Sequence, residues 1–524
     1  MMHARQFQRS AALAGSVLFA ASGAQAAGSF TVQNGNWVVT SELNGEPGRG
    51  MNIDVQDGTL VMQVYNYDIA GQPTFHMSYG AITANHFSGA LRQYKDGRYY
   101  GSGPRSAEEY GSAGDVQVNF TSATTGTIQF PGEPAVAISR YNFDNIPAGT
   151  LSMPNATEQW LLAELDDSDK PVNAILLATT TTGFSPGPMN VPAINTAQSF
   201  KDGSGAFTIC SYASTTQQFT CDIQFDGTPG KRQLVWSKNL ESMSGRISAT
   251  GGCTFSPCPP TSHRVVGMRL GIGDTSSAVK VDWQMDAPSA SMSPPIYQPA
   301  PDPGNWIITS ELDGKPGRGM AIDVQYDKLV MQVYNYETSG ASTFHMAVAD
   351  YAQGKAADSL IRYEGGRYYG GPALIAHAAG DAGPVQVNFT SPTKGTIQFP
   401  GEPAVSMQRY QFGDAAAPQP ESLFGGWMIF DPGKNQLEYY TLDHVYAGDP
   451  TVATGTGALL SIRCNYPGGA AEAVKCTDQT FTSIDDYRFT PVNGRAIGSH
   501  DETSTIYVLR VKDRNGVLAG LGKF

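Results

Sequence analysis

An internal repeat constrains the fold of this chain more than any other feature of its sequence. The segment Gly35–Phe143 matches Gly304–Phe412 at a constant offset of 269 residues, without a gap. GNWVVTSELNGEPGRGMNIDVQ returns as GNWIITSELDGKPGRGMAIDVQ, and Leu60–Tyr67 returns unchanged at Leu329–Tyr336. A self-match at a fixed offset is the signature of a duplicated structural unit, so the chain contains two copies of one module.

A second, less similar unit follows each copy of the repeat. A tryptophan (Trp160 or Trp427) and then a cysteine pair occur in the same order after both copies. We therefore predict six segments: a signal peptide at 1–26, β-module copy 1 at 27–143, disulfide-bearing β unit 1 at 144–286, a Pro-rich linker at 287–303, β-module copy 2 at 304–413, and disulfide-bearing β unit 2 at 414–524. The prolines of the linker predict an extended, semi-rigid spacer, and hence two blocks that do not share one core.

Strand patterns dominate both copies of the repeat. In Gly50–Gln56, Met51, Ile53 and Val55 alternate with polar residues, which is the period of a half-buried strand. Turn dipeptides such as Asp96-Gly97 separate the patterns, and about eight strands fit into each copy. We predict an all-β protein made of two duplicated blocks of antiparallel meander modules. The pattern leaves open whether each module is a barrel or a sandwich.

The N-terminus carries the features of an export signal. Arg5 and Arg9 precede the apolar run Ala11–Ala21, and Ala24-Gln25-Ala26 fits a cleavage site. A membrane anchor needs about 20 apolar residues, and this run is about half as long. We predict a secreted or periplasmic protein of a Gram-negative bacterium, without a membrane span.

The balance of charges limits the possible partners. The chain has 34 basic and 47 acidic residues, a formal net charge of −13 that becomes −15 when Arg5 and Arg9 leave with the signal. A negative surface repels nucleic acid and anionic lipid, so we expect neither as a partner. The sequence predicts no cofactor.

Six cysteines fit an oxidising compartment. Pairing of sequence neighbours predicts the disulfides Cys210–Cys221, Cys253–Cys258 and Cys464–Cys476, although six cysteines allow 15 connectivities. The alternative is a metal site at Cys253, Cys258 and His263. That spacing fits no standard zinc pattern, so we predict disulfides and no metal.

The repeat resembles a module of secreted proteobacterial proteins. The resemblance is carried by G-x-W, P-G-R-G-M-x-I-D-V-Q, Y-N-Y-[DE]-x-x-G, T-F-H-M, G-T-I-x-F and R-Y-x-F. The usual form of that module reads G-x-W, S-G-x-G-x-x-I-x-x-Q and W-Y-x-Y-D-x-x-G-x-P-x-W-Y. This chain departs from it at Val64, Phe75 and His76 and at their counterparts in the second copy. The resemblance implies a secreted β-module, often in tandem, and supplies no catalytic residues.

Polar and aromatic residues on the predicted strands are the candidate ligand-binding residues. If they point into a barrel mouth, they form an amphipathic pocket suited to a sugar ring or another small ligand. Glycine-flanked arginines near them offer a guanidinium to an acidic group, or pair internally with Glu42 or Asp54. Asp54 and His76 also have the residue types of an acid/base pair. The candidates are Arg49, Asp54, Tyr65, Tyr67, His76 and Arg98, with their counterparts Arg318, Asp323, Tyr334, Tyr336, His345 and Arg367.

These patterns leave three functions open. The first is binding of an extracellular ligand, with a glycan or surface polymer as the first candidate. The second is a secreted hydrolase or lyase that degrades a polymer, and the third is a structural matrix or surface component. The candidate residues also fit a simpler interpretation, the solvated face of a one-sided antiparallel sheet.

Overall fold

The computed structural model describes residues 30–143, 158–273, 297–412 and 420–519. Short segments inside these ranges are not described: 31, 44–48, 57, 183–190, 214–215, 217, 228–229, 239, 251–261, 313–316, 326, 458–460, 466–472, 480–483, 490, 492–493, 515 and 517. The predicted signal peptide and the predicted Cys253–Cys258 pair lie outside the described residues. The same applies to most of the predicted linker.

Each copy of the repeat forms a closed, eight-stranded antiparallel barrel. Repeat barrel 1 consists of β1 Gly35–Val39, β2 Gly50–Gln56, β3 Thr59–Tyr67, β4 Pro73–Ala81, β5 His86–Lys95, β6 Glu108–Phe120, β7 Thr125–Gln129 and β8 Val136–Arg140. Repeat barrel 2 consists of β18 Gly304–Ile308, β19 Gly319–Gln325, β20 Lys328–Tyr336, β21 Ser342–Asp350, β22 Lys355–Glu364, β23 His377–Ser391, β24 Lys394–Gln398 and β25 Val405–Arg409.

The unit after each repeat is a barrel of the same kind. Disulfide barrel 1 consists of β9 Glu158–Leu165, β10 Pro171–Thr182, β11 Val191–Ser199, β12 Gly203–Ala213, β13 Gln218–Phe225, β14 Lys231–Lys238, β15 Ser242–Thr250 and β16 Ser262–Gly273, with β17 Tyr297–Pro299 added beside β16. Disulfide barrel 2 consists of β26 Gly425–Asp431, β27 Gln436–Val445, β28 Val452–Thr456, β29 Ser461–Asn465, β30 Val474–Gln479, β31 Ile484–Phe489, β32 Arg495–His500 and β33 Ser504–Lys512. The all-β prediction is confirmed, and the barrel is the correct one of its two alternatives.

Helical structure in the described residues is limited to short 3₁₀ turns at Thr40–Glu42, Thr309–Glu311 and Pro420–Leu423. None of the described helices has the length and apolar character needed to cross a membrane.

Strand alternation builds the core of each repeat barrel. In β2, Met51 and Ile53 point inward, where they join Trp37 and Met62 in a cluster that is closed to solvent. The indole N–H of Trp37 donates to the Gln33 carbonyl at 3.0 Å, so its one polar group is satisfied inside the core. Full burial of a Met or Ile side chain contributes about 1.5–3 kcal/mol. The inner face therefore supplies the main stabilisation of each barrel.

Two of the predicted disulfides are confirmed. Cys210 pairs with Cys221 across β12 and β13, and Cys464 pairs with Cys476 across β29 and β30. Each bond joins residues directly opposite one another on adjacent strands. Two disulfide bonds are compatible with a protein that is exported to an oxidising compartment.

The repeat barrels pack directly against each other, which differs from the predicted separation of the two blocks. The Asn36 N–H donates to Asp323 Oδ2 at 3.1 Å, and the Asn305 N–H donates to Asp54 Oδ2 at 2.9 Å. These bonds are equivalent under the 269-residue offset, so the contact is reciprocal, like that of a twofold-symmetric dimer.

The described end of the predicted linker is also packed rather than extended. β17 extends the sheet beside β16, and Asp302 is buried with its backbone N–H bonded to the Pro392 carbonyl at 2.9 Å. Arg409 Nη2 donates to the Pro303 carbonyl at 2.9 Å. The prolines at this end therefore belong to the fold and do not act as a free spacer.

Candidate ligand-binding site between the repeat barrels

The predicted tyrosine face is buried in the contact between the two barrels. Tyr65 stacks on its own counterpart Tyr334 with ring centroids 5.5 Å apart, and their hydroxyls are hydrogen-bonded. Tyr67 and Tyr336 belong to the same apolar cluster, which combines residues from both barrels. Burial strongly raises the pKa of Tyr65 and of Tyr334, so both phenols stay neutral. The predicted shared face is real, but the other repeat covers it.

The predicted acidic residues of this face form ion pairs with the opposite barrel. Arg409 donates to the Asp54 carboxylate from both terminal nitrogens, at 2.6 and 2.7 Å. Arg140 holds Asp323 in the same way, at 2.6 Å to Oδ2 and 2.9 Å to Oδ1. All four side chains are buried, and a forked pair of this kind fixes both distance and orientation. Asp54 and Asp323 therefore position the barrels.

His76 lies on the other face of its sheet. β3 and β4 pair so that Val64 is opposite His76 and Tyr65 is opposite Phe75. Directly opposite residues share a face, so His76 points with Val64 to the barrel interior while Asp54 and Tyr65 point outward. The proposed acid/base pair of Asp54 and His76 does not form. His345 has the equivalent place in repeat barrel 2, opposite Val333.

A loop from each repeat closes the mouth of the other barrel. We call Gly97–Gly101 plug loop 1 and Gly366–Gly370 plug loop 2. Tyr369 of plug loop 2 packs 5.4 Å from Phe130 of repeat barrel 1, and Tyr100 of plug loop 1 packs 5.6 Å from Phe399 of repeat barrel 2. Both tyrosines lie in loops between strands, so their positions depend on the contact between the barrels.

The candidate arginines hold the plug loops in place. Arg49 bonds Glu133 at 2.7 Å and Glu42 at 2.7 Å inside repeat barrel 1. Arg367 of plug loop 2 reaches the same two carboxylates, at 2.9 Å to Glu42 and 3.2 Å to Glu133. The predicted pairing of Arg49 with Glu42 is confirmed, whereas Glu133 was not foreseen.

The second copy repeats this network with the barrels exchanged. Arg318 pairs with Glu311 and Glu402, and Arg98 of plug loop 1 reaches both, at 2.7 Å to Glu311 and 3.2 Å to Glu402. Burial acts to raise the pKa of Glu402 and of Glu133, but the arginines outweigh it. Arg318 and Arg98 lower the pKa of Glu402. Arg49 and Arg367 lower the pKa of Glu133. Both carboxylates are thus kept charged.

A cavity of about 530 Å³ lies where plug loop 2 meets repeat barrel 1. Its mouth includes Ile69 and Tyr110, which are 84% and 54% exposed, whereas Asn66 and His76 in its lining are buried. This volume is within the range of small-molecule sites. The lining residues are Asn66, Tyr67, Asp68, Ile69, Gln72, Pro73, Thr74, His76, Gln93, Tyr94, Lys95, Tyr110, Ala113, Glu337, Ser339, Ala341, Ser342, Arg362, Tyr368 and Tyr369.

Three buried polar atoms of this lining make no well-formed hydrogen bond within the described part of the protein, although the Asn66 side chain lies close enough to the Tyr369 hydroxyl to oppose the effect of burial on its pKa. Among the described residues, no group makes a well-formed hydrogen bond to Asn66 Oδ1, His76 Nδ1 or the Tyr369 hydroxyl. Leaving a buried polar atom unpaired costs about 1–3 kcal/mol, so a molecule that hydrogen-bonds to these atoms would recover part of that cost. The equivalent atoms of the second copy, Asn335 Oδ1, His345 Nδ1 and the Tyr100 hydroxyl, are unpaired in the same way. We call Asn66, His76 and Tyr369 the polar floor.

The polar floor is electrically neutral. Burial lowers the pKa of His76 to about 4, so its imidazole is uncharged at neutral pH. Burial also strongly raises the pKa of Tyr369, which keeps that phenol protonated. The floor therefore offers hydroxyl, amide and imidazole groups, and these suit a neutral polar molecule better than an ion.

Charged groups surround the cavity at its rim. Arg362 donates to Glu337 at 3.1 Å and to Gln72 at 2.8 Å, which joins the two repeats across the rim. Lys95 is half-exposed and lies 3.7 Å from Glu108. A ligand bound at the floor thus meets polar groups of both barrels.

Sequence reasoning identified His76 and Tyr67 in this lining but missed Asn66 and Tyr369. Asn66 is the central residue of Y-N-Y, a motif that both copies keep. That signal was available in the sequence, whereas the insertion of Tyr369 depends on the contact between the barrels. The sequence matches no protein-family model and no curated protein.

Proposed function

We propose that the protein is an exported binding protein whose cavity between the repeat barrels takes a neutral polar ring, with a sugar residue of an extracellular glycan as the first candidate. One observation carries this proposal: the unsatisfied polar floor of Asn66, His76 and Tyr369 inside a cavity of about 530 Å³. Sugar hydroxyls both donate and accept hydrogen bonds, which is what these three groups require. The exposed ring of Tyr110 at the mouth offers an apolar surface to the face of a sugar.

Binding fits the site better than hydrolysis does. Burial is the cause of the low pKa of His76, and Asp54 points to the opposite face, where Arg409 holds it. General acid–base catalysis needs a group that is tuned toward the working pH and can reach the reacting atoms. A neutral imidazole without a carboxylate partner serves as a hydrogen-bonding group instead.

Titration calorimetry of the mature protein with neutral mono- and oligosaccharides tests the proposal. Tyr110→Ala removes a side chain at the mouth and should weaken binding about tenfold or more, equivalent to about 1.4 kcal/mol. Tyr79→Ala is the matched control, because Tyr79 is a similarly exposed tyrosine outside the cavity lining. We expect Tyr79→Ala to leave the Kd unchanged.

A second pair of variants tests the floor itself. Asn66→Ala should abolish binding, whereas Asn335→Ala changes the counterpart of Asn66 in the other repeat and should leave this cavity intact. The proposal fails if no saccharide binds, or if a bound saccharide is insensitive to both Tyr110→Ala and Asn66→Ala. Release of a shortened product from a bound oligosaccharide would instead favour the hydrolase or lyase alternative.

A further inference from the structure

Disulfide barrel 2 contains a group of potential metal ligands unrelated to the cavity. His500, Asp485 and Asp501 each offer one ligand atom, and these atoms all lie within 4.8 Å of one another. His500 Nε2 is 3.1 Å from Asp485 Oδ1 and 3.4 Å from Asp501 Oδ2. Ligands at 2.0–2.1 Å in a tetrahedron are about 3.3 Å apart, so both spacings fit a small ion bound to the three groups.

A fourth acidic residue orients the imidazole. Asp431 Oδ2 lies 2.9 Å from His500 Nδ1, and Ser504 Oγ donates to the same carboxylate oxygen at 2.5 Å. An Nδ1–H that is bonded to a carboxylate leaves the lone pair on Nε2, directed at Asp485 and Asp501. This is the usual second-sphere arrangement for a histidine that binds a metal.

Disulfide barrel 1 has a cation at the position equivalent to Asp485. Glu164 lies four residues after Trp160, as Asp431 lies four residues after Trp427. Strand register also makes Arg232 the counterpart of Asp485, because each is opposite the residue two positions after the second disulfide cysteine. In disulfide barrel 1 the guanidinium of Arg232 bonds Glu164 at 2.7 Å and Asp202 at 2.6 Å.

Disulfide barrel 2 has a carboxylate where disulfide barrel 1 has that permanent cation. Asp431, Asp485 and Asp501 therefore surround His500 with three negative charges. The ammonium of Lys434 lies among them, 2.7 Å from Asp501 Oδ2 and 3.2 Å from His500 Nε2. Lys434 and Asp501 have side chains 36% and 38% exposed, so the lysine has room to move outward and leave the place to an ion.

We propose that His500, Asp485 and Asp501 bind a divalent zinc-class ion, with Asp431 orienting His500 and Lys434 occupying the site in exchange with the metal. The imidazole nitrogen favours zinc over calcium or magnesium, which prefer oxygen ligands throughout. Three protein ligands leave one tetrahedral position for water.

Calorimetric titration of the mature, chelator-treated protein with Zn²⁺ tests this site, with Ca²⁺ and Mg²⁺ as comparisons. Asp501→Asn changes a surface ligand and should weaken Zn²⁺ binding at least tenfold without loss of folding, and Asp485→Asn should do the same. Lys434→Ala removes the competing ammonium and should tighten binding. Asp486→Asn and His444→Ala are controls: Asp486 bonds Thr477 instead, and His444 pairs with Asp443 at the surface.

The expected result is one zinc per chain, weakened by both ligand variants, strengthened by Lys434→Ala and unchanged in both controls. The proposal is overturned if Zn²⁺ does not bind below millimolar concentration, or if Asp501→Asn and Asp485→Asn bind it as the parent protein does. It is equally overturned if Lys434→Ala weakens binding, because removal of a cation that lies among the proposed ligands must favour a metal ion that binds to them.

Discussion

The ion pair between Asp54 and Arg409 gives the most direct test of the contact between the repeat barrels. Asp54→Asn keeps the shape of the side chain but removes the charge that faces the buried guanidinium. Breaking one partner of a buried pair costs about 3–5 kcal/mol. Arg409 keeps a second carboxylate, because Asp302 Oδ2 lies 3.4 Å from its Nε. We therefore expect a cost near the lower limit, about 3 kcal/mol.

The reciprocal variant provides an internal comparison. In the described part of the chain, Asp323 is the one carboxylate within ion-pair distance of Arg140, so Asp323→Asn leaves that guanidinium only the more distant charge of Glu241. Its cost should lie near the upper limit, about 5 kcal/mol. The two variants change equivalent residues of the same interface, and their difference measures the contribution of Asp302.

Hydrogen exchange read by mass spectrometry measures these costs locally, which matters because a chain of four barrels does not unfold in one step. Exchange in Gly50–Gln56 and Gly319–Gln325 should accelerate about 100-fold in Asp54→Asn and more in Asp323→Asn, since 1.4 kcal/mol is tenfold. Strands β28–β30 of disulfide barrel 2, which do not include the Arg495 that pairs with Asp302, should be unaffected. Equal effects of the two variants, or a larger effect of Asp54→Asn, would contradict the role assigned to Asp302.

Three further perturbations follow from buried groups. Burial lowers the pKa of His76 and of His345 to about 4. Folding stability should therefore fall as the pH drops from about 6.5 to about 4, by up to about 3 kcal/mol per histidine. Changing both histidines to Gln should make the urea midpoint of unfolding nearly independent of pH over this range. Burial raises the pKa of Glu241 to about 7, so its charged form costs stability as the pH rises from about 4.5 through 7. Glu241→Gln should therefore raise Tm at pH 8 and leave it nearly unchanged at pH 4. In Gly366→Ala the new Cβ would lie 2.0 Å from the Tyr67 ring, so plug loop 2 should shift and saccharide affinity should fall in calorimetry.

The sequence predicted the interior of each barrel better than its exterior. The alternation of apolar and polar residues in Gly50–Gln56 can be read within one short segment, and β2 has the same bounds. The outer face carries polar residues such as Asp54 and Gln63, a pattern that also belongs to a solvated sheet. Only the position of Arg409, 355 residues further along the chain, shows that this face is buried. The register across the β3–β4 turn decides the face on which His76 lies, and periodicity within one strand does not contain that register.

The two repeats also differ in a way that the reciprocal contact explains. A twofold-like interface uses each residue type twice, so Tyr65, Asp54 and the plug-loop arginine must keep partners in both copies. The cavity rim carries no such requirement. Lys95 and Tyr110 of this rim correspond to Glu364 and Ala379 in the second copy. The rim at repeat barrel 1 therefore has a cation and an exposed aromatic ring that the equivalent positions of the second copy lack. The duplicated contact thus holds the barrels in one arrangement, while the divergent rim gives the two symmetry-related mouths different surfaces, and this is why the proposed sugar site is assigned to the mouth of repeat barrel 1.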